Sequence, residues 1–145
     1  MHLRENFRRV SIERLVSGRG LLNIYEALGT IENRPYTLRD EKDLWTAALQ
    51  GTDTLAAAAL DRLCLIFGAA AGDYALAQGA SAVVLAGGLG LRLVDYLPRS
   101  GFRDRFLAKG RFERMMGDMP VKVIVHPQPG LFGAAAAFAS SHPDL

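Results

Sequence analysis

The sequence predicts an α/β fold that is rich in helices and has few strands. Apolar residues recur at every third or fourth position through most of the chain, which is the spacing of amphipathic helices. Only two short segments, residues 82–86 and 121–126, are the β-branched and small apolar runs typical of buried strands. Two strands make a poor sheet on their own. We therefore expect either further strands near the N-terminus or a sheet completed by strands outside these residues.

Length and composition predict a single soluble globular domain. The chain has 145 residues, of which 50% are hydrophobic and 22% charged, so a sizeable core is expected and disorder is not. The longest uncharged apolar run, residues 63–72, is too short to span a bilayer. Charged residues interrupt the N-terminus, and no signal peptide is predicted. The sequence thus predicts no membrane contact.

The charge pattern does not favour a nucleic-acid partner. The formal net charge is only +2. Six basic residues lie between Arg99 and Arg114, but Asp104 and Glu113 interrupt them, and no aromatic stacking platform recurs there. We interpret this stretch as a solvated surface.

The single cysteine, Cys64, excludes an internal disulfide and fits a reducing cytoplasm. Its neighbours in the sequence are apolar, so we expect a small core residue rather than a catalytic thiol. His126 has no second histidine or cysteine at the spacing of metal ligands. No metal site is predicted.

Three helices are predicted in the first 50 residues. Ser11 is expected to begin the first, which would place Glu13 in its first turn. The second carries apolar residues from Leu21 onward and is expected to end at Gly29. The third is expected over about residues 38–50, after a turn.

The longest predicted element is a helix that Asp53 or Thr52 caps and that runs to about Gln78, before Gly79. At 1.5 Å per residue it would extend nearly 40 Å, enough to cross a domain. Gly68 and Gly72 lie four residues apart and therefore on one face. This spacing predicts close packing against another backbone.

The last third of the chain is predicted to contain both strands. After strand 82–86 and Gly87-Gly88, a helix is expected over about residues 91–97, and short helical turns over residues 101–116. Strand 121–126 and two prolines follow. A closing helix is expected over residues 130–140.

The strand that ends in Gly87-Gly88 is the most informative feature for function. A buried strand followed by two glycines delivers backbone without side chains to the edge of a pocket. Such a turn can lie at the edge of a nucleotide pocket, and it is also common as a plain chain reversal. The diglycine alone leaves both interpretations open.

Several segments, in order along almost the whole chain, resemble the C-terminal part of bacterial glucokinases. These are ATP-dependent, hexokinase-like sugar kinases of the actin and Hsp70 superfamily. The matching segments are Val10-Ser11-Ile12-Glu13-Arg14-Leu15-Val16-Ser17-Gly18, Gly20-Leu21-Leu22-Asn23-Ile24-Tyr25, Val84-Leu85-Ala86-Gly87-Gly88, Ser100-Gly101-Phe102-Arg103 with Phe106 and Lys109-Gly110-Arg111-Phe112, Pro120-Val121 with Ile124-Val125-His126, and Pro129-Gly130-Leu131-Phe132-Gly133.

The resemblance implies that residues 1–145 form the C-terminal portion of the large glucokinase domain, with an actin-like ATPase (ribonuclease H-like) fold. The family's phosphate loops and its catalytic aspartate have no counterpart here. The resemblance therefore implies no catalytic residue in this chain. It implies ATP and Mg²⁺ for the intact enzyme, glucose as its substrate, and the missing N-terminal half as a partner.

The resemblance also implies the site residues. Glu13 matches the glutamate that holds sugar hydroxyls, and Gly87, Gly88 and Leu89 match the adenosine motif. The alternative for Glu13 is a residue in the first turn of a helix, favoured by the helix dipole and paired with Arg14 or Arg9.

The expected function is that of a glucokinase, the ATP:glucose 6-phosphotransferase of the first step of glycolysis. The chain alone is expected to be inactive. The alternative is a non-catalytic dimerisation or regulatory module derived from a sugar kinase. A homodimer is one way to bury the surface that the missing half would leave exposed.

Overall fold

The computed structural model describes residues 2–142, and its helices surround one long central helix. Two parallel strands lie after that helix, and two single 3₁₀ turns, Leu97–Arg99 and Gly110–Phe112, connect the later elements. The helices are α1 (His2–Phe7), α2 (Gly20–Ile31), α3 (Glu41–Gln50), α4 (Thr54–Ala77), α5 (Gly88–Leu93), α6 (Phe102–Leu107), α7 (Glu113–Asp118) and α8 (Pro129–Ser141), and the strands are β1 (Val83–Leu85) and β2 (Val121–Val123).

Helix α4 is the centre of the core, against which α2, α3 and α6 pack. Its start is the one predicted: the Asp53 carboxylate accepts a hydrogen bond from the Ala56 amide at 2.7 Å. Gly79 follows its end with a φ of +60°, a conformation that favours glycine. Leu60 and Leu63 are fully buried. Because α4 carries so much of the core, the positions of the other elements depend on it.

The predicted close packing at Gly68 and Gly72 is confirmed. A Cβ atom on Gly68 would lie 2.0 Å from the carbonyl oxygen of Phe102, and one on Gly72 would lie 2.7 Å from that of Phe106. Both carbonyls belong to α6, so the two helix backbones are in contact. The Phe102 ring meets the ring of Phe67 edge to face, at 5.3 Å between centroids.

The interpretation of the basic stretch as a solvated surface holds for its four exposed arginines, but the other two basic residues, Arg103 and Lys109, are structural. The Lys109 side chain is only 9% exposed, and its ammonium donates to the Ala69 carbonyl at 2.9 Å and to Asp73 Oδ1 at 2.6 Å. The Arg103 guanidinium donates to the Gly117 carbonyl at 2.7 Å. These bonds fasten α6 and the loop after it to α4 and α7.

The sheet consists of β1 and β2 in parallel, with Val83 opposite Val121 and Leu85 opposite Val123. Both strands are shorter than the predicted residues 82–86 and 121–126. Leu85 is buried in the core, whereas Val84, whose side chain points to the other face, is 58% exposed. Within residues 2–142 there is no third strand. One face of this small sheet is therefore uncovered.

The N-terminal predictions were partly wrong. Ser11 does not begin a helix. Residues 12–16 form only a turn, and the next helix starts at Gly20. Helix α2 does not end at Gly29 but continues to Ile31. A Cβ on Gly29 would lie 2.5 Å from the Tyr36 ring. This glycine therefore gives room to an aromatic side chain and does not terminate the helix.

Three helix boundaries also differ from those predicted. Helix α3 begins at Glu41 rather than near residue 38, because the Asp40 side chain accepts from the Lys42 amide at 2.8 Å and caps it. Helix α5 begins at the second glycine of the diglycine, Gly88, rather than near residue 91, and ends at Leu93 rather than near residue 97. The closing helix α8 is confirmed.

Helix α8 lies open among the described residues, and its Phe132 ring meets only the His126 ring of the preceding loop, at 5.1 Å between centroids. None of its residues is buried, and Leu131, Phe132 and Phe138 are 58–67% exposed. Such a large exposed apolar surface is typical of an interaction site.

Helix α4 is the one described helix that is long and apolar enough to span a membrane. Half of its most apolar window is buried against the protein, as in the core helix of a globular domain. The central position of α4 accounts for its composition.

We expect Gly68→Ala to destabilise the chain by about 3 kcal/mol, because the new methyl group would collide with the Phe102 carbonyl. Gly133→Ala in α8 is the matched control, since nothing lies near its Cβ position. Helix propensity predicts a gain of up to about 1 kcal/mol for this control. Urea unfolding of both variants measures the difference, and equal stabilities would contradict the close packing of α4 on α6.

Candidate functional site

Glu13 lies in the turn between α1 and α2. This turn is held by backbone hydrogen bonds from Arg14 to the Ser11 carbonyl at 3.1 Å and from Leu15 to the Ile12 carbonyl at 2.9 Å. The Glu13 side chain is exposed. The turn thus presents the Glu13 carboxylate at the surface, while the backbone of the next residue, Arg14, is held by a hydrogen bond.

The structure does not support the helix-dipole alternative for Glu13. No helix begins at Ser11, so there is no helix dipole at this position. The Arg14 guanidinium lies over the Phe7 ring, 4.7 Å from its centroid. Among residues 2–142, no ion pair joins Glu13 to Arg14 or Arg9. The carboxylate is therefore available to a ligand.

Among the described residues, Glu13 is the one charged residue that lines an apolar groove of about 560 Å³, which we name the α4–β1 groove. The groove lies between the Glu13 turn, the C-terminal half of α4 and strand β1. It is lined by Ile12, Glu13, Val16, Phe67, Ala70, Ala71, Tyr74, Ala75, Gln78, Ala80, Ala82, Val83, Val84 and Leu85. Pockets of this kind, apolar with few polar groups, are typical of small-molecule sites.

Glu13 also lines a second cavity, which is polar. It measures about 430 Å³ and is lined by Ser11, Glu13, Arg14, Ser17, Arg19 and Asn23. Glu13 therefore lies at the boundary between an apolar and a polar surface. A ligand with an apolar face and several hydroxyl groups matches such a boundary.

The diglycine turn has the backbone geometry that requires glycine. Gly87 has φ +94° and ψ 175°, a region that only glycine adopts without strain. Gly88 begins α5, and a Cβ there would meet nothing within 4 Å. Gly87 and Gly88 are exposed, whereas Leu89 is half-buried against the core. The two glycines therefore offer open backbone, and Leu89 fastens the turn to the fold.

The structure places Glu13 and the strand before the diglycine along one groove. Strand β1 lines the α4–β1 groove as far as Leu85, and Gly87 follows two residues later. Gly87, Gly88 and Leu89 do not line that groove or the polar cavity. The predicted sugar contact and the predicted adenosine turn thus lie at separate places beside the same groove.

Sequence reasoning missed two residues that hold the chain in the Glu13 turn and just after it. The Asn23 side chain amide donates to the Arg14 carbonyl at 2.8 Å, and the Trp45 indole N–H donates to the Gly18 carbonyl at 3.0 Å. The ring of Trp45 also lies under the guanidinium of Arg92, at 4.8 Å. Asn23 lies within a matched segment, which was the only signal in the sequence for it.

Cys64 is not among the residues that line the α4–β1 groove or the polar cavity. Cys64 is fully buried, as predicted, and burial raises the pKa of its thiol to about 11, with a smaller contribution from the Asp61 charge. The thiol is therefore protonated at neutral pH. Over residues 2–142, no three histidine, cysteine or acidic side chains group together in a way that could hold a metal ion.

Comparison with known proteins finds relatives that match almost the whole chain. The Glucokinase family model matches residues 1–141. A glucokinase of Zymomonas mobilis is 62% identical over 143 residues, which are 99% of this chain and 44% of that protein. A glucokinase of Xanthomonas campestris is 47% identical over 135 residues, covering 92% of this chain and 40% of that protein.

A solved structure agrees with the sequence comparisons. The crystal structure of a glucokinase from an Antarctic psychrotroph superposes with a TM-score of 0.85 at 32% identity. The match covers 95% of this chain and 43% of that one. The chain therefore spans less than half the length of the relatives that it matches.

Proposed function

Because this chain belongs to the glucokinase family, we propose that it is part of an ATP-dependent enzyme that phosphorylates glucose. In this proposal the chain contributes one contact to the sugar and the backbone that faces the adenosine. The observation that carries the proposal is that Glu13 and strand β1, which leads to the diglycine, line the same groove.

Glu13 would bind and orient the sugar. A carboxylate can accept two hydrogen bonds from neighbouring hydroxyl groups, and bonds to a charged acceptor are stronger than neutral ones. The apolar side of the groove, with Val16 and Tyr74, would face the C–H surface of the ring. Glu13 would thus position the sugar, and the positioning of the reacting groups accounts for much of the rate acceleration in phosphoryl transfer.

Gly87 and Gly88 would admit the ribose and adenine. Both lack a side chain, and the Cβ positions of both face open space. A nucleotide could therefore approach the backbone closely there. Leu89 would contribute through its backbone, because its side chain packs against the core.

The transfer itself needs groups beyond those of this chain. The 6-hydroxyl of glucose must lose a proton to a base within hydrogen-bond reach as it attacks the γ-phosphorus of ATP, whose bond to the bridging oxygen breaks to release ADP. We assign that base to the part of the family's length that the chain does not span. The described residues do not fit a Mg²⁺ site, since no acidic cluster exists among them. No step is therefore assigned to the ion.

Helix α8 and the open face of the sheet would pack against a partner. We propose that the rest of the enzyme covers this apolar surface, and that a second copy of the chain covers it when the rest is absent.

The buried, protonated thiol of Cys64 suits a reducing compartment, so we propose the cytoplasm as the location. The alternative of a non-catalytic module is not favoured, because the relatives that match almost the whole chain are named glucokinases.

We expect an ATP analogue that cannot be hydrolysed to shift the amide NMR signals of residues 86–89 in the 145-residue chain. Gly88→Val should weaken this binding at least about tenfold, because its side chain would fill the space open to the nucleotide. Gly117→Val is the matched control, since its Cβ position is equally open. Signals that shift only elsewhere, or equal affinities in both variants, would exclude the adenosine role.

We expect the chain alone to sediment as a dimer at micromolar concentrations, because association buries the apolar surface of α8. The double variant Phe132→Ser, Phe138→Ser should sediment as a monomer. Phe112→Ser, which changes an exposed phenylalanine outside α8, is the control and should remain dimeric. A compact monomer of the unmodified chain would contradict this self-association.

A further inference from the structure

The turn that carries Glu13 has no regular secondary structure to keep it in place. Residues 12–16 form a turn, and the chain reaches the first residue of α2 only at Gly20. An exposed turn of this kind is mobile unless other elements hold it. A ligand-binding carboxylate must nevertheless be held within a fraction of an ångström of its working position.

Two side chains from the helical core donate hydrogen bonds to the backbone of this segment. Asn23 of α2 donates to the Arg14 carbonyl at 2.8 Å, which belongs to the residue directly after Glu13. Trp45 of α3 donates to the Gly18 carbonyl at 3.0 Å. Trp45 is only 3% exposed, so it is itself fixed by packing.

A third contact sets how closely the segment approaches α2. A Cβ on Gly20 would lie 2.1 Å from the Leu15 carbonyl oxygen, so the turn rests directly on the first residue of the helix. The segment is thus fastened by two donated hydrogen bonds and one backbone contact. All of them come from elements that pack on α4.

We propose that Asn23 and Trp45 are positioning residues that fix the Glu13 carboxylate at the edge of the α4–β1 groove. This inference rests on the proposed sugar contact of Glu13. Asn23 has the more direct effect, since the carbonyl that it holds belongs to Arg14, the residue after Glu13. Trp45 holds the far end of the segment, where the chain enters α2.

Hydrogen exchange of the backbone amides tests the anchoring in the 145-residue chain. Asn23→Asp has nearly the same shape but places an acceptor against the Arg14 carbonyl. We expect about tenfold faster exchange at Leu15 and Val16, the fold-change of one lost hydrogen bond, with unchanged exchange in α4. Trp45→Phe keeps a ring but removes the donor, and it should speed exchange in the same segment.

Thr30→Val is the matched control. It removes a side-chain hydrogen bond of the same helix, from Thr30 to the Glu26 carbonyl at 2.9 Å, without touching the Glu13 turn. It should leave exchange at Leu15 and Val16 unchanged. If neither Asn23→Asp nor Trp45→Phe changes exchange in the turn, or if both change it only by unfolding α4 as well, the positioning role is wrong.

A glucose titration of the same variants, followed by amide NMR signals, tests what the anchoring is for. Asn23→Asp should weaken glucose binding at least about threefold, and Glu13→Gln should weaken it as well. Thr30→Val should bind glucose as the unmodified chain does. Weakening by Glu13→Gln but not by Asn23→Asp would overturn the inference and leave the sugar contact standing. No response of the unmodified chain to glucose would contradict the sugar contact and the positioning role together.

Discussion

The contact between the backbones of α4 and α6 is the constraint on which the rest of the structure depends. Gly68 and Gly72 allow the carbonyls of Phe102 and Phe106 to approach α4 as no larger residue could. Lys109 then reaches back to α4 and fastens the loop that follows. With α6 fixed in this way, α7 and strand β2 are also fixed, and β2 can pair with β1 beside the end of α4.

The same helix also determines where the proposed ligand contacts lie. One side of α4 forms a wall of the α4–β1 groove. Helices α2 and α3 pack on α4 and hold the Glu13 turn and the residues after it through Asn23 and Trp45. Strand β1 begins soon after α4 ends and leads to the diglycine. A rigid core thus carries two exposed, irregular segments, which is the usual division between scaffold and binding site.

The sequence predicted what local chemistry decides and missed what distant contacts decide. The cap at Asp53, the stop at Gly79 and the glycine face of α4 all follow from short-range patterns, and the structure has each of them. The helix expected at Ser11 is a turn, and side chains of the two later helices α2 and α3 donate to backbone carbonyls in it and just after it. Gly29 did not end α2, because Tyr36 packs there. Likewise, no local pattern shows that Glu13 and β1 share a groove.

The most direct test of this account is a coupled assay for glucose 6-phosphate with the 145-residue chain, ATP, Mg²⁺ and glucose. The account predicts no product above background from the chain alone. It predicts product once the part of the Zymomonas mobilis glucokinase that the match leaves uncovered is supplied, with kcat/KM at least about tenfold lower in Glu13→Gln. Product from the chain alone, lost in Glu13→Gln, would show that the chemistry is complete within these residues and would contradict the account.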